Sequence, residues 1–235
     1  MATTFKQVIN KVLERIGEDT ISASISSLND TYHLLLASIV NDVKEQVEDA
    51  HNWRALRQFI NVTIPAQAVS AAVTGANESS RVIRIQQAEK GITPLVFDIT
   101  DADNPVPLIE LDLAELLYHD TMNPNQYQEP GYFAVDNSEG DVLNLYVYPR
   151  PAEERTIKLG LFVPQGYIES TELDTEIKVP VRPLIVGSVW YALEERGEEL
   201  GVNALFSEQR FRDALDSAIA RDSAESGDSY ELVPV

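Results

Sequence analysis

The chain contains no cysteine, and only three histidines, two methionines and two tryptophans stand among its 235 residues. Without thiols there are no disulfides, no thiolate metal sites and no cysteine nucleophile, and a reducing compartment is permitted. His33, His51 and His119 are isolated, with no His-x-x-x-His pair to bring two imidazoles to one helix face for zinc. Basic residues are scarce too: 18 Lys and Arg stand against 38 Asp and Glu, a formal net charge of −20. A surface that grips phosphates needs clustered cations, so this balance argues against tight nucleic-acid binding. The acidic excess sits mainly in the middle, where residues 61–180 hold 19 acidic and 7 basic side chains. No stretch approaches the roughly 18 consecutive apolar residues of a membrane span. The opening MATTFKQVINKVLERIGE carries charges where a secretory signal would be apolar, so the expectation is a soluble protein with no membrane partner. A Gly-x-Ser-x-Gly elbow, a phosphate loop ending in Lys and a Gly-x-Gly-x-x-Gly turn are all missing. The chain is therefore expected to be no enzyme and to need no cofactor.

What is present describes a folded chain. Hydrophobic content of 44% with 24% charged residues fits a globular protein, and the length suits one large domain or two small ones. After Thr3 or Thr4 as N-cap, the residues Phe5, Val8, Ile9, Val12, Leu13 and Ile16 fall at helical spacing, with Gly17 as the stop. A polar, Ser-rich link follows. A second helix then runs through Tyr32, Leu35, Leu36, Ile39, Val40, Val43 and Val47 and ends near Trp53, so residues 4–55 read as a helical hairpin.

From Leu56 the period changes to that of a strand, with Phe59, Val62 and Ile64 as apolar positions and Pro65 as the end. Further strands are expected over residues 81–87, 94–100, 131–136, 141–149 and 155–164, and Asn137 to Gly140 supplies turn chemistry that pairs two of them as a hairpin. One short helix is expected at 111–120, with Asp112 near its start, and the stretch 66–80 reads as a flexible loop. Pro183 onward gives Leu184, Ile185, Val189, Trp190 and Leu193 at helical spacing. After Gly197 and Gly201 a last stripe forms from Phe211, Ala214, Leu215, Ala218 and Ile219, and a polar tail follows from Ser223.

The expected fold is α+β: a four-helix bundle made by the N- and C-terminal helical segments, with an inserted antiparallel β-rich domain. Its parts are an N-terminal hairpin (1–58), the insertion (59–178), C-terminal helices (179–224) and a C-terminal arm (225–235). The bundle core is expected to use Val8, Val12, Ile16, Leu36, Ile39, Val43, Ile185, Val189, Trp190 and Leu215.

Candidate chemistry is thin. Asp98, Asp101 and Asp103 could offer oxygens to calcium, yet Pro105 follows closely and the turn glycine and closing glutamate of an EF-hand loop are absent, which favours a solvated loop. Glu194, Glu195, Glu198 and Glu199 have a spacing that could serve metals only with histidines beside them. They read instead as an acidic face, in water or lining a channel, and Gly197 among them suggests that the helix is ending. Trp53 and Trp190 sit on or beside apolar stripes and read as core. Tyr127, Tyr132, Tyr146 and Tyr148 could stack on a ligand, although alternation along one sheet face gives the same pattern.

Several segments, in their order, resemble the head-to-tail adaptor (connector) family of tailed bacteriophages, which includes the tail tubular protein A of short-tailed phages. They are Ile16-Gly17-Glu18 ending a first helix, the Ser-rich link, a long helix running into His51-Asn52-Trp53-Arg54, and Gln128 to Val135 followed by the strand Leu143 to Pro151. Leu173-Asp174-Thr175 ahead of Val179-Pro180 and the closing Phe211 to Leu215 stripe complete the pattern. The resemblance implies a homo-oligomeric ring, commonly of twelve subunits, docked beneath the portal protein, with a tail nozzle or tail-tube protein below. Genomic DNA would pass through without specific binding. The implied setting is the virion neck and tail, and the host cytoplasm during assembly. The implied portal-contacting arm carries Tyr230, Leu232, Val233 and Val235. No catalytic residue is implied. An acidic channel would suit sliding DNA, although net charge alone says nothing of fold. Two alternatives stand beside this reading: another neck or tail subunit, such as a tail tube or nozzle, and a carbohydrate-binding or hydrolytic virion module using the tyrosines with Asp136 or Asp141.

Overall fold

The computed structural model of the chain describes residues 3–22, 24–73, 84–85, 87–88, 93–136, 143–197 and 202–226. It is α+β, with five α-helices among the described residues and sheets that are antiparallel in all but one pairing. Two compact units are formed, residues 1–56 with 167–235 and residues 57–166.

In the helical unit, α1 (Phe5–Ile16) starts where the sequence says it should. Thr4 and Gln7 form a reciprocal capping box, Thr4 N donating to Gln7 Oε1 at 3.1 Å and Gln7 N to Thr4 Oγ1 at 3.4 Å, and Gly17 closes the helix at φ +78°. The first two backbone donors of α1, which no helix can satisfy internally, reach across sequence: Phe5 N donates to Thr175 O and Lys6 N to Leu173 O, both at 2.9 Å. Phe5, Val8, Ile9, Val12 and Leu13 are fully buried, each contributing roughly 1.5–3 kcal/mol by the usual transfer scale. The helix α2 (Thr31–Ala50) is capped by the Asp30 carboxylate, which accepts from Tyr32 N and His33 N. Between them the Ser-rich link is fastened to the core. Ile21 and Leu28 are buried, and the Asn10 amide exchanges hydrogen bonds of 2.8 and 3.1 Å with the Ile21 backbone.

The helices α4 (Val181–Glu195) and α5 (Val202–Ser226) complete the unit, α4 packing against α1, α2 and α5. The approach at Gly187 is close, because a Cβ there would lie 2.7 Å from Val43 Cγ1 and 2.9 Å from the Phe211 ring. The helix α4 stops just ahead of Gly197, which sits at φ +70°, as the sequence suggested. The final helix runs further than expected, since Ser223 to Ser226, read as the start of a polar tail, are helical.

Residues 167–178, expected in the β-rich insertion, belong instead with the helices: Ile168, Leu173 and Ile177 enter the helical core. They form a strap without periodicity. The buried Asn41 amide holds it, its Nδ2 donating to Ile168 O and its Oδ1 accepting from Ile168 N, both at 3.0 Å.

The β unit contains β1 (Arg57–Ile64), β2 (Ser70–Ala72), β3 (Arg84–Ile85), β4 (Gln87–Ala88), β5 (Thr93–Pro94), β6 (Val96–Asp98), β7 (Val106–Pro107), β8 (Ile109–Glu110), α3 (Leu113–Met122), β9 (Tyr132–Asp136), β10 (Asn144–Tyr148) and β11 (Arg155–Phe162). One sheet has the order β1-β11-β6-β7, with β3 also on β11; a second has the order β2-β10-β9-β8; β4 and β5 pair alone. The expected β9–β10 hairpin pairing is present, with Leu145 opposite Val135, while its turn at Asn137 to Gly140 lies outside the described residues. Three corrections apply. The stretch 66–80, read as a flexible loop, contains β2, whose Ser70–Ala72 pair with β10, and Val73 beyond it is fully buried; residues 74–80 lie outside the described set. The pairing of β8 with β9 is parallel, in a middle expected to be antiparallel. Phe59, grouped by the sequence with Val62 and Ile64, has the opposite strand parity and is 57% exposed. The inner faces of both larger sheets share one core, including Val62, Ile157, Leu159, Phe133, Leu145 and Val147.

Candidate functional site

The anticipated core residues lie together. Val8, Val12, Leu36 and Val43 are fully buried, Ile39 and Ile185 nearly so, and Ile16, Val189, Trp190 and Leu215 pack on them partly buried. Trp53 is 1% exposed, and its indole donates to Val47 O at 2.6 Å.

Beside Trp53 the end of α5 is clamped. Asp222 Oδ2 meets His51 Nε2 at 3.1 Å and accepts from Arg54 N at 3.4 Å, while Oδ1 accepts from Arg54 Nε at 3.3 Å. The His51 ring stands edge-on to Trp53, with centroids 4.9 Å apart. A cleft of about 370 Å³ opens here, lined by Thr3, Trp53, Ile177, Lys178 and Asp222 among others. Both Asp222 oxygens are engaged, so the carboxylate serves to hold the last turns of α5 rather than to offer a free base.

The remaining candidate groups have local duties. Asp98 is buried, accepts from Thr100 N at 2.9 Å and pairs with Arg155 at 3.6 Å; Asp101 accepts from Asp103 N at 3.1 Å. Among the described residues no group of three or more acidic or histidine side chains could hold a metal. Glu194 and Glu195 are exposed at the end of α4, next to Arg196, which meets Glu18 at 3.0 Å. Their companions Glu198 and Glu199, and the arm residues Tyr230, Leu232, Val233 and Val235, lie outside the described residues, as does Asp141. Asp42, on the outer side of α2, is held above the usual carboxylate range by desolvation and then by Glu45.

Tyr132, Tyr146 and Tyr148 share the outer face of the second sheet, because Tyr132 pairs directly with Tyr148 and Tyr146 with Ala134. They do not make an open stacking platform, since α3 packs across β9 and β10. His119 of α3 lies 5.7 Å from the Tyr148 ring, and Asp120 takes both Arg150 Nε (2.6 Å) and Nη2 (2.7 Å). That hydrogen bond raises the Arg150 pKa against the lowering by burial, and the Asp120 and Tyr127 charges raise it further. Tyr148 Oη donates to Gln126 at 2.9 Å.

Around α3 lies a surface that the sequence reading passed over. Ile109, Tyr118 and Met122 are each about 60% exposed, and Leu117, Tyr127 and Tyr132 about 38%. Two signals could have found it. The helix sequence LAELLYHDTM has apolar residues on more than one face, and no Lys or Arg occurs between Lys90 and Arg150. The opposite side of the β unit carries exposed Phe59, with Lys158 Nζ 5.0 Å from its ring centroid.

The family model of the SU10 adaptor protein matches residues 3–231, which includes residues of both units. No curated protein matches the chain.

Proposed function

Because the chain belongs to the SU10 adaptor protein family, and so is a structural phage adaptor and not an enzyme, we propose that it is the head-to-tail adaptor of its virion, a ring docked on the portal that continues the DNA channel into the tail. The match across nearly the whole chain carries this reading. The four long helices would act as a bundle that builds the ring body, with twelve copies as the working stoichiometry, and the β unit would project toward neighbours or the tail component below. Residues 225–235 would act as the arm, with Tyr230, Leu232, Val233 and Val235 giving a polar segment apolar side chains to bury on the portal. The clamp of His51 and Arg54 on Asp222 supports that role, because it ties the helix that leads into the arm to the core.

The charge of −20 suits a channel through which DNA slides during ejection, since a lumen that bound phosphates would hold the genome back. Glu194, Glu195, Glu198 and Glu199 are the acidic face offered to that channel. Assembly would take place in the host cytoplasm, and the finished ring would stand in the virion neck. Electron microscopy of portal mixed with this chain tests the proposal. A second ring is expected beneath the portal, lost or weakened when the chain ends at Ser226. Portal particles with no added density would refute it.

A further inference from the structure

The β unit has two outer faces of opposite chemistry. On the first sheet, the outward strand positions are Arg57, Phe59, Asn61 and Thr63 of β1, then Thr156, Lys158, Gly160 and Phe162 of β11, with Phe97 of β6 beside Lys158 in register. Gly160 and Phe162 are themselves buried, so what that face offers is the exposed Phe59 with its cations, Arg57 standing 5.4 Å from the Phe162 centroid and Lys158 5.0 Å from that of Phe59, and none of these positions is an Asp or Glu. The two larger sheets share one core between them, so the outer face of the second sheet, with α3 on it, looks the other way. Its exposed apolar residues Ile109, Tyr118 and Met122 are accompanied, in α3 and at its N-cap, by Glu115 and Asp112, both exposed. The span from Gly91 to Pro149 has eleven acidic residues and no Lys or Arg.

From this complementarity we infer that the partner of the apolar, acidic face around α3 is a second copy of this chain, which presents the Phe59 and Lys158 face of its own β unit. Two different, complementary patches on opposite sides of one compact unit give a head-to-tail contact, the kind that closes into a ring when the rotation between copies allows. Burying apolar surface supplies the attraction, and the charge pattern fixes which face meets which, since either face against its like would set equal charges together. The inference rests on the ring reading and adds the lateral contact to it.

Phe59→Asp blocks one face and Tyr118→Asp the other; both side chains are more than half exposed, so far-UV circular dichroism should match the wild type. With wild-type chain assembling alone or on portal, each variant is expected to stay monomeric. An equal mixture of the two should form dimers of twice the chain mass, because only one intact pair of faces remains per couple. In this cysteine-free chain, Phe59→Cys mixed with Tyr118→Cys should also give a disulfide dimer within the assembly when a mild thiol oxidant is added. A full ring from either variant alone, or a mixture that stays monomeric, would overturn the pairing of faces and leave the ring reading standing. Wild-type chain that assembles neither alone nor on portal would remove both.

Discussion

Gly187→Ala sets two effects of opposite sign against each other inside the helical unit. Helix propensity alone favours the change, because glycine within a helix is about 0.8–1 kcal/mol worse than alanine. The packing opposes it: the added methyl would sit 2.7 Å from Val43 Cγ1 and 2.9 Å from Phe211 Cδ2 and Cε2, so α2 and α5 must both give way. Val43 is fully buried and Phe211 is 7% exposed, which leaves neither much room to rotate aside. Overpacking of this kind costs about 1–3 kcal/mol, and with two neighbouring helices displaced the upper half of that range applies. The net expectation is a loss of about 1–2 kcal/mol after the propensity gain. Both tryptophans, Trp53 and Trp190, belong to the helical unit, so their fluorescence during urea unfolding reports that unit and not the β unit. With a slope of about 2 kcal/mol per molar urea, the midpoint should fall by roughly 0.5–1 M. In a Val43→Ala background the nearest contact is gone, and the cost of Gly187→Ala should shrink by about 1 kcal/mol. A midpoint that rises would show that propensity outweighs the close approach and would refute the reasoning.

Three further changes probe other contacts. Arg150→Ala leaves the buried Asp120 carboxylate without its two-pronged partner and should cost about 1.5–3 kcal/mol, read as faster amide exchange over Tyr132–Asp136 and Asn144–Tyr148. Asp222→Ala removes the carboxylate that His51 and Arg54 share, and the last two turns of α5 should lose exchange protection while α1 keeps its own. Asp42 carries a raised pKa, so the folded chain binds that proton more tightly than the unfolded chain. The penalty is therefore absent at pH below the ordinary carboxylate range and grows as pH rises through the raised value. Asp42→Asn should raise the urea midpoint near pH 7, and the difference from wild type should vanish on acidification.

The parts of the fold that were legible in sequence are those whose signals are local. The first helix could be placed to within a residue because its capping groups, Thr4 and Gly17, lie beside it in sequence; Thr3 or Thr4 stood as the N-cap, and Thr4 is the one used. The strands β9, β10 and β11 could be placed because their inner residues alternate with outer ones. What was missed depends on distant partners. The strand β2 is Ser-Ala-Ala and exists because β10 offers it an edge. The strap 167–178 has no period, and it joins the helices because it satisfies the first donors of α1 and the Asn41 amide. Phe59 was misread through its apolar character when strand parity already placed it outside. Of the candidate surfaces, the acidic character of the middle was plain, but the cluster around α3 needed the parallel pairing of Ile109 with Tyr132 to become one face.

In the proposed role this chain builds a ring on a portal. Native mass measurement of the chain alone and mixed with portal assemblies tests it most directly. The expected result is a discrete multiple of the chain mass, twelvefold in the proposed stoichiometry, formed alone or on the portal. A chain that remains monomeric in both samples would contradict it.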